Sequence, residues 1–140
     1  DISTDTANPP AFVAVAPLRA ADPKTGNPTE YAGAETAAKQ AEADPDIKPY
    51  HSTLSSDQLY AKALAAAREL GWEIVAEIPG EGRIEATDTT LWFGFKDDVV
   101  IRIVADGAGS VLDIRSKSRV GISDVGVNAK RIRAFIAKLG

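Results

Sequence analysis

Seven of the chain's eight prolines fall within its first 50 residues, at Pro9, Pro10, Pro17, Pro23, Pro28, Pro45 and Pro49. Proline removes an amide donor and fixes φ, so this stretch cannot build the interior of a sheet. It carries eight acids against four bases, and its large hydrophobes are chiefly Phe12, Val13, Val15, Leu18, Tyr31 and Ile47. Residues 1–49 read as an extended arm, either lying on a domain formed by residues 50–140 or linking it to something upstream. One helix interrupts the arm. Tyr31–Ala43 is rich in alanine, with Thr29 placed as N-cap and Pro45 beyond the end. With so little apolar bulk, this helix is expected to dock weakly.

From Tyr50 onward the pattern becomes regular. Tyr50–Leu54 suits a short strand. Ser55 and Gln58 have capping-box spacing. Leu59, Ala63, Leu64, Ala67 and Leu70 then recur at helical spacing, and Gly71 sits where a C-terminal cap belongs. Four strands follow. Trp72–Ile78 and Arg83–Thr90 flank the turn Pro79-Gly80-Glu81-Gly82. Val99–Ala105 and Ser110–Ser118 flank the turn Asp106-Gly107-Ala108-Gly109. Short turns favour an antiparallel meander, and half-alternating strands mean one packed face and one face that is wet or covered from elsewhere. A last helix carries Val125, Ala129, Ile132, Phe135, Ile136 and Leu139 as its apolar stripe, with Ser123 or Asp124 as cap. Lys130, Arg131, Arg133 and Lys138 suit its solvated side and its later turns. The order strand, helix, four strands, helix predicts an α+β protein. Its antiparallel sheet has about five strands and carries two helices on one face, in a helix-grip or TATA-binding-protein-like arrangement, with a ferredoxin-like variant as the alternative.

Composition narrows the chemistry. The chain has no Cys and one His, so disulfides, thiolate metal sites, cysteine nucleophiles and multi-histidine metal sites are excluded. His51 has no partners with which to complete a triad. The motifs that bind nucleotide, flavin or metal cofactors are missing, and no cofactor is expected. A net charge of -4 argues against a polyanion binder. The stretch from Arg115 to Gly140 does hold seven bases against one acid. It lacks an aromatic stacking platform on the same face, so nucleic acid is not expected as a partner.

Two segments concentrate groups capable of recognition. The first runs from Arg115 to Asn128. There a strand hands over to a helix, and free amides beside Arg115, Ser116, Ser118, Arg119, Ser123, Asp124 and Asn128 would suit a phosphate or carboxylate. The plainer account makes Ser123 and Asp124 caps, and pairs the arginines with Asp88, Asp97, Asp98 or Asp113. The second segment holds Trp92, Phe93 and Phe95, half of the chain's six Trp and Phe residues. They suit an exposed protein interface, or else core around a bulge relieved by Gly94. The acids Glu81, Glu85, Asp88, Asp97 and Asp98 are best accounted for as solvated strand and turn positions.

The sequence also resembles a known family. Glu85-Ala86-Thr87 leads to Trp92-Phe93-Gly94-Phe95-Lys96-Asp97-Asp98-Val99-Val100. Asp113-Ile114-Arg115-Ser116-Lys117-Ser118-Arg119-Val120-Gly121 follows, and then Asp124-Val125-Gly126-Val127-Asn128-Ala129-Lys130-Arg131-Ile132. These motifs, in this order, resemble the bacterial domain-of-unknown-function family 1499. Asp5-Thr6 and Pro9-Pro10-Ala11-Phe12 resemble that family's N-terminal arm. The resemblance brings no activity and no catalytic residues. Many members resemble envelope proteins with hydrophobic segments ahead of the domain. That implies a membrane-tethered location in the periplasm or on the outer face of the inner membrane, with the tether upstream of Asp1. The start at Asp in place of Met is compatible with this.

The reading that follows is a non-enzymatic, protein-binding subunit or adaptor of the envelope, partnered by a membrane or envelope protein. A domain that binds a small anion or lipid is the alternative.

Overall fold

The computed structural model describes residues 1–90, 94–120 and 125–140. The elements run β1 (Ile2–Ser3), α1 (Val15–Ala21), α2 (Ala34–Ala43), β2 (Tyr50–Ser52), α3 (Ser56–Glu69), β3 (Glu73–Ile78), β4 (Arg83–Thr89), β5 (Lys96–Asp106), β6 (Gly109–Ser118) and α4 (Val125–Lys138). One antiparallel sheet is ordered β1-β6-β5-β4-β3, and β2 pairs with β6 as well. Ile2 and Ser3 lie opposite Ser116 and Arg115, while Tyr50 to Ser52 lie opposite Leu112 to Ser110. Two short pieces thus share the outer edge of β6, as befits a proline-rich segment barred from the sheet interior.

The helix face carries the main core. Ile84, Ala86, Val99, Ile101, Ile103, Leu112 and Ile114 alternate inward from β4, β5 and β6, and pack against Leu59, Ala63 and Ala67 of α3 and Ala129, Ile132 and Phe135 of α4. Trp72 stacks on Phe135 with ring centroids 5.5 Å apart. The helix α3 starts where its capping box requires. Gln58 N–H donates to Ser55 Oγ, and Ser55 N–H donates to Gln58 Oε1, each at 3.2 Å. It ends in a Schellman motif around Gly71, whose φ is 81°. Gly71 N–H donates to Arg68 C=O and Trp72 N–H to Ala67 C=O. Gly82 closes the β3–β4 turn at φ 64°, where a Cβ would run into the carbonyl of Ile103.

Three expectations are corrected. The arm helix begins at Ala34 rather than Tyr31, with Gly33 and not Thr29 at its N-cap. The Thr29 carbonyl and the Tyr31 ring are instead drawn to Arg115. β5 begins at Lys96 rather than Val99, because Asp97 and Asp98 pair in register with Ser118 and Lys117. The arm also holds two elements the pattern did not signal, β1 and α1. The caps expected at Ser123 and Asp124 lie outside the described residues.

The second face of the sheet is covered by the arm. Phe12 and Val15 pack on Val100, with Val75 beside them, in a small apolar cluster of their own. Helix α2 docks through a polar side chain. The Gln40 amide accepts from Ser3 N–H at 3.0 Å and donates to Ser3 C=O at 2.6 Å, so it closes the edge of β1 as another strand would.

Candidate functional site

The arm face is built from charge. On β4, the Glu85 carboxylate is fully buried and accepts the N–H groups of Val13, Ala14 and Val15 at 2.9, 2.8 and 3.2 Å. It also takes a hydrogen bond from Arg83. Ala14 offers no side-chain cap to α1, so a carboxylate some seventy residues further on supplies one. On β5, Asp98 is likewise fully buried. It accepts Arg19 Nη1 at 2.8 Å, Arg119 Nε at 2.8 Å, Arg119 Nη2 at 3.0 Å and Thr87 Oγ1 at 2.8 Å. Arg119 reaches Asp22 at 3.2 Å as well. These carboxylates raise the Arg119 pKa, while Lys24 N–H, and then the Arg119 guanidinium, lower that of Asp22.

On β6, Arg115 gathers the arm's start and middle. It donates to the Asp1 carboxylate at 2.9 and 3.0 Å, to Pro10 C=O at 3.0 Å and to Thr29 C=O at 2.8 Å. Its guanidinium lies 4.5 Å from the Phe12 ring centroid and 5.6 Å from that of Tyr31. Burial pushes its pKa down to about 10. Two residues along the same strand face, Lys117 donates to Glu30 C=O at 2.7 Å and lies 3.6 Å from Asp1. Burial, then the nearby cations Arg115 and Arg19, push the Lys117 pKa down to about 8. Further along the sheet, Arg102 bridges Asp5 and Asp113, and Thr4 Oγ1 donates to Asp113 at 2.7 Å.

A second polar cluster lies on the helix face. Arg131 of α4 donates to Asp97 at 2.7 Å, Asp88 at 2.9 Å, Asn128 Oδ1 at 2.9 Å and Ser116 Oγ at 3.1 Å. Ser116 Oγ donates to Asn128 Oδ1 at 2.6 Å, and Asn128 Nδ2 donates to Ser118 Oγ at 3.1 Å. The 115–128 segment is therefore divided by the strand's two-residue period. Ser116, Ser118 and Asn128 come together under α4. Arg115 belongs to the arm face, and Arg119 also binds there through Asp98. Ser123 and Asp124 lie outside the described residues.

Glu85, Asp97 and Asp98 are buried, which corrects the expectation that they are solvated. Arg131 is buried as well, although its helix face reads as wet. The sequence did contain one usable signal. Arg115, Lys117 and Arg119 repeat at i, i+2 and i+4, which puts three cations on one side of a strand otherwise suited to burial. Of the aromatic segment, Trp92 and Phe93 lie outside the described residues. Phe95 is 48% exposed. Thr90 holds its backbone in place: Thr90 N–H donates to Phe95 C=O at 2.8 Å, and Phe95 N–H donates to Thr90 Oγ1 at 2.9 Å. His51 is exposed, 4.0 Å from Asp106. Among the described residues, no group of three or more His, Cys, Asp or Glu is placed to hold a metal ion. No helix among them is long and apolar enough to cross a membrane.

These features define an α+β domain whose sheet carries two helices on one face and an ion-paired N-terminal arm on the other. The chain belongs to the DUF1499 family, described as "Protein of unknown function", which matches residues 1–139. Among solved structures it is similar to that of Ara h 8.0201, at 13% identity and a TM-score of 0.47, over 66% of this chain and 94% of that one. No curated protein matches it in sequence.

Proposed function

We propose that this chain is a non-enzymatic, protein-binding domain of the bacterial envelope, and that the hairpin corner at Phe95 contacts a membrane-protein partner. The observation that carries the reading is the exposure of Phe95 on a backbone fixed by Thr90. An aromatic ring half in water on a backbone already fixed spares a partner the cost of ordering that backbone, and such rings anchor interfaces. Lys96 beside it is exposed as well, and Leu18 and Val13 add exposed apolar area on the arm. The buried acids support the non-enzymatic part of the reading. Glu85, Asp97 and Asp98 are each engaged by guanidinium or backbone N–H groups, which suits a strut better than a general base. The envelope location rests on the resemblance of the sequence motifs.

The test is the mass of the complex extracted from its native membrane in mild detergent, for wild type, Phe95→Asp and Val104→Asp. Val104 is a control, 55% exposed on the far end of β5. A complex of fixed stoichiometry is expected for wild type and Val104→Asp and is lost in Phe95→Asp, with all three melting alike. A wild type found only at its own mass, or a complex that survives Phe95→Asp, overturns the proposal.

A further inference from the structure

Between α2 and the end of β6 lies a groove of about 480 Å³. That is within the range of small-molecule sites, roughly 300–1,000 Å³. Pro28, Ala32 and Ala43 form apolar walls, and Lys117, Ser118 and Asn128 bring polar groups to one side. We infer that this groove binds a small monocarboxylate with an apolar tail, the carboxylate meeting Lys117 and the tail lying along α2.

Beside the groove, buried positive charge outweighs buried negative charge. Arg115 and Lys117 are both buried, and the carboxylate they share is that of Asp1. Arg115 takes both Asp1 oxygens, at 2.9 and 3.0 Å, and Ala32 N–H adds a third bond at 3.2 Å. Lys117 is left at 3.6 Å from that carboxylate, with one close bond to a neutral carbonyl. Asp1 is the one carboxylate within ion-pair distance of these two buried cations among the described residues, the Glu30 charge acting on them only from an exposed side chain, and a second anion beside Lys117 would improve the balance. The depressed Lys117 pKa, about 8, agrees with that shortage. The other acid lining the groove is Asp44, which Arg133 pairs at 2.6 Å. A carboxylate head fits the lysine, and the alanine and proline walls fit a hydrocarbon tail rather than a second charged group.

The probe is octanoate, titrated calorimetrically into the full chain at pH 7, with 1-octanol and acetate as the tail and the head alone. Two variants accompany it. Lys117→Met removes the cation. Ala43→Trp, at the exposed end of α2, fills the groove without touching the ion cluster. Saturable binding of octanoate is expected, weakened about ten-fold or more for 1-octanol, for acetate and for each variant. Affinity should also fall as pH rises past the Lys117 value of about 8; Asp1, whose amine pKa is lowered by burial to about 6, and Lys39, paired with Glu35 at 3.5 Å, bring the other titratable cations to the groove. If Lys117→Met does not fold, Ala43→Trp decides the matter. The inference is overturned by octanoate binding that is undiminished in Ala43→Trp, by equal binding of 1-octanol, or by no saturation at about millimolar concentration.

Discussion

On the helix face of the sheet, Trp72 stacks on Phe135, and Ile101, Ile114 and Ile132 are fully buried around them. On the arm face Arg19, Glu85 and Asp98 are buried, and the apolar cluster among the described residues is small, Phe12, Val15 and Val100 with Val75 beside them. The helix face is held by a non-directional force, worth ~1.5–3 kcal/mol for each large apolar side chain buried. The arm face depends on geometry. Each charge there carries a desolvation cost, which is offset only while every partner stays in place. The difference teaches what each surface can do. An apolar core tolerates repacking, whereas an ion-paired strap either holds in one register or comes away.

Asp98→Asn tests this contrast most severely. It leaves Arg19 and Arg119 short of a buried counter-charge and is expected to cost about 3–5 kcal/mol in urea unfolding. Phe135→Ala on the opposite face should cost a similar amount, about 3–5 kcal/mol, through its cavity. The two variants part company in limited trypsin digestion. Asp98→Asn should be cut first in the arm, at Arg19 or Lys24, while the helix-face core stays protected. Phe135→Ala should lose protection everywhere together. Digestion that attacks both variants uniformly would show that the two faces form one cooperative unit, and the contrast would fail.

The same contrast explains which parts of the fold could be read from sequence. The helix α3 announces itself through Ser55, Gln58, the Leu59–Ala63–Ala67 stripe and Gly71, all within one local window. The apolar stripe of α4 and the two tight turns are equally local. The arm is different. The cap of α1 is Glu85, and the partner of Arg19 is Asp98, each some seventy or more residues away. β1 is two residues long and pairs with Ser116 and Arg115. In a local window Asp97-Asp98 looks like a solvated turn, because the guanidinium groups that permit its burial come from Arg131, Arg19 and Arg119. Periodicity reports which residues avoid water, and it carries no information on which charges find each other. The candidate site was legible as a concentration of residue types in 115–128. Its division between two faces follows once the strand register is known.

A subtler probe is pH. Lys117 falls from its ordinary 10.5 to about 8 in the folded chain, through burial first and then Arg115 and Arg19. Glu30 acts in the opposite direction, and the Asp1 carboxylate lies close by. Between these two values the unfolded chain binds the extra proton, so stability should rise with pH across the window, by at most ~1.4 kcal/mol per unit. Below about 8 both states hold the proton, and the buried charge weighs fully against folding. Lys117→Met should flatten the rise in chemical denaturation series from pH 8 upward. A slope unchanged in that variant would place its origin elsewhere on the arm face.

The smallest effect is expected from an ion pair whose geometry rivals that of Asp98 but which stands in water. Arg133 on α4 donates to Asp46 at 2.8 Å through both Nε and Nη2, and to Asp44 at 2.6 Å. Its hydrogen bonds hold the Asp46 carboxyl down to about 2 and raise the Arg133 pKa. Asp46 nevertheless stays well exposed, so solvent already meets most of its need for a partner. Arg133→Ala should leave the melting temperature unchanged within error at neutral pH, while the Asp46 titration, followed by NMR, returns toward the ordinary carboxylate value. The sign agrees with this. A depressed carboxyl contributes above its unfolded value of 3.8 and loses that contribution as pH falls toward 2, so any difference between wild type and variant should vanish in strong acid. A large loss of stability at neutral pH would mean that α4 depends on this exposed tether as the arm depends on Asp98. Burial would then not be what separates strong ion pairs from weak ones in this protein.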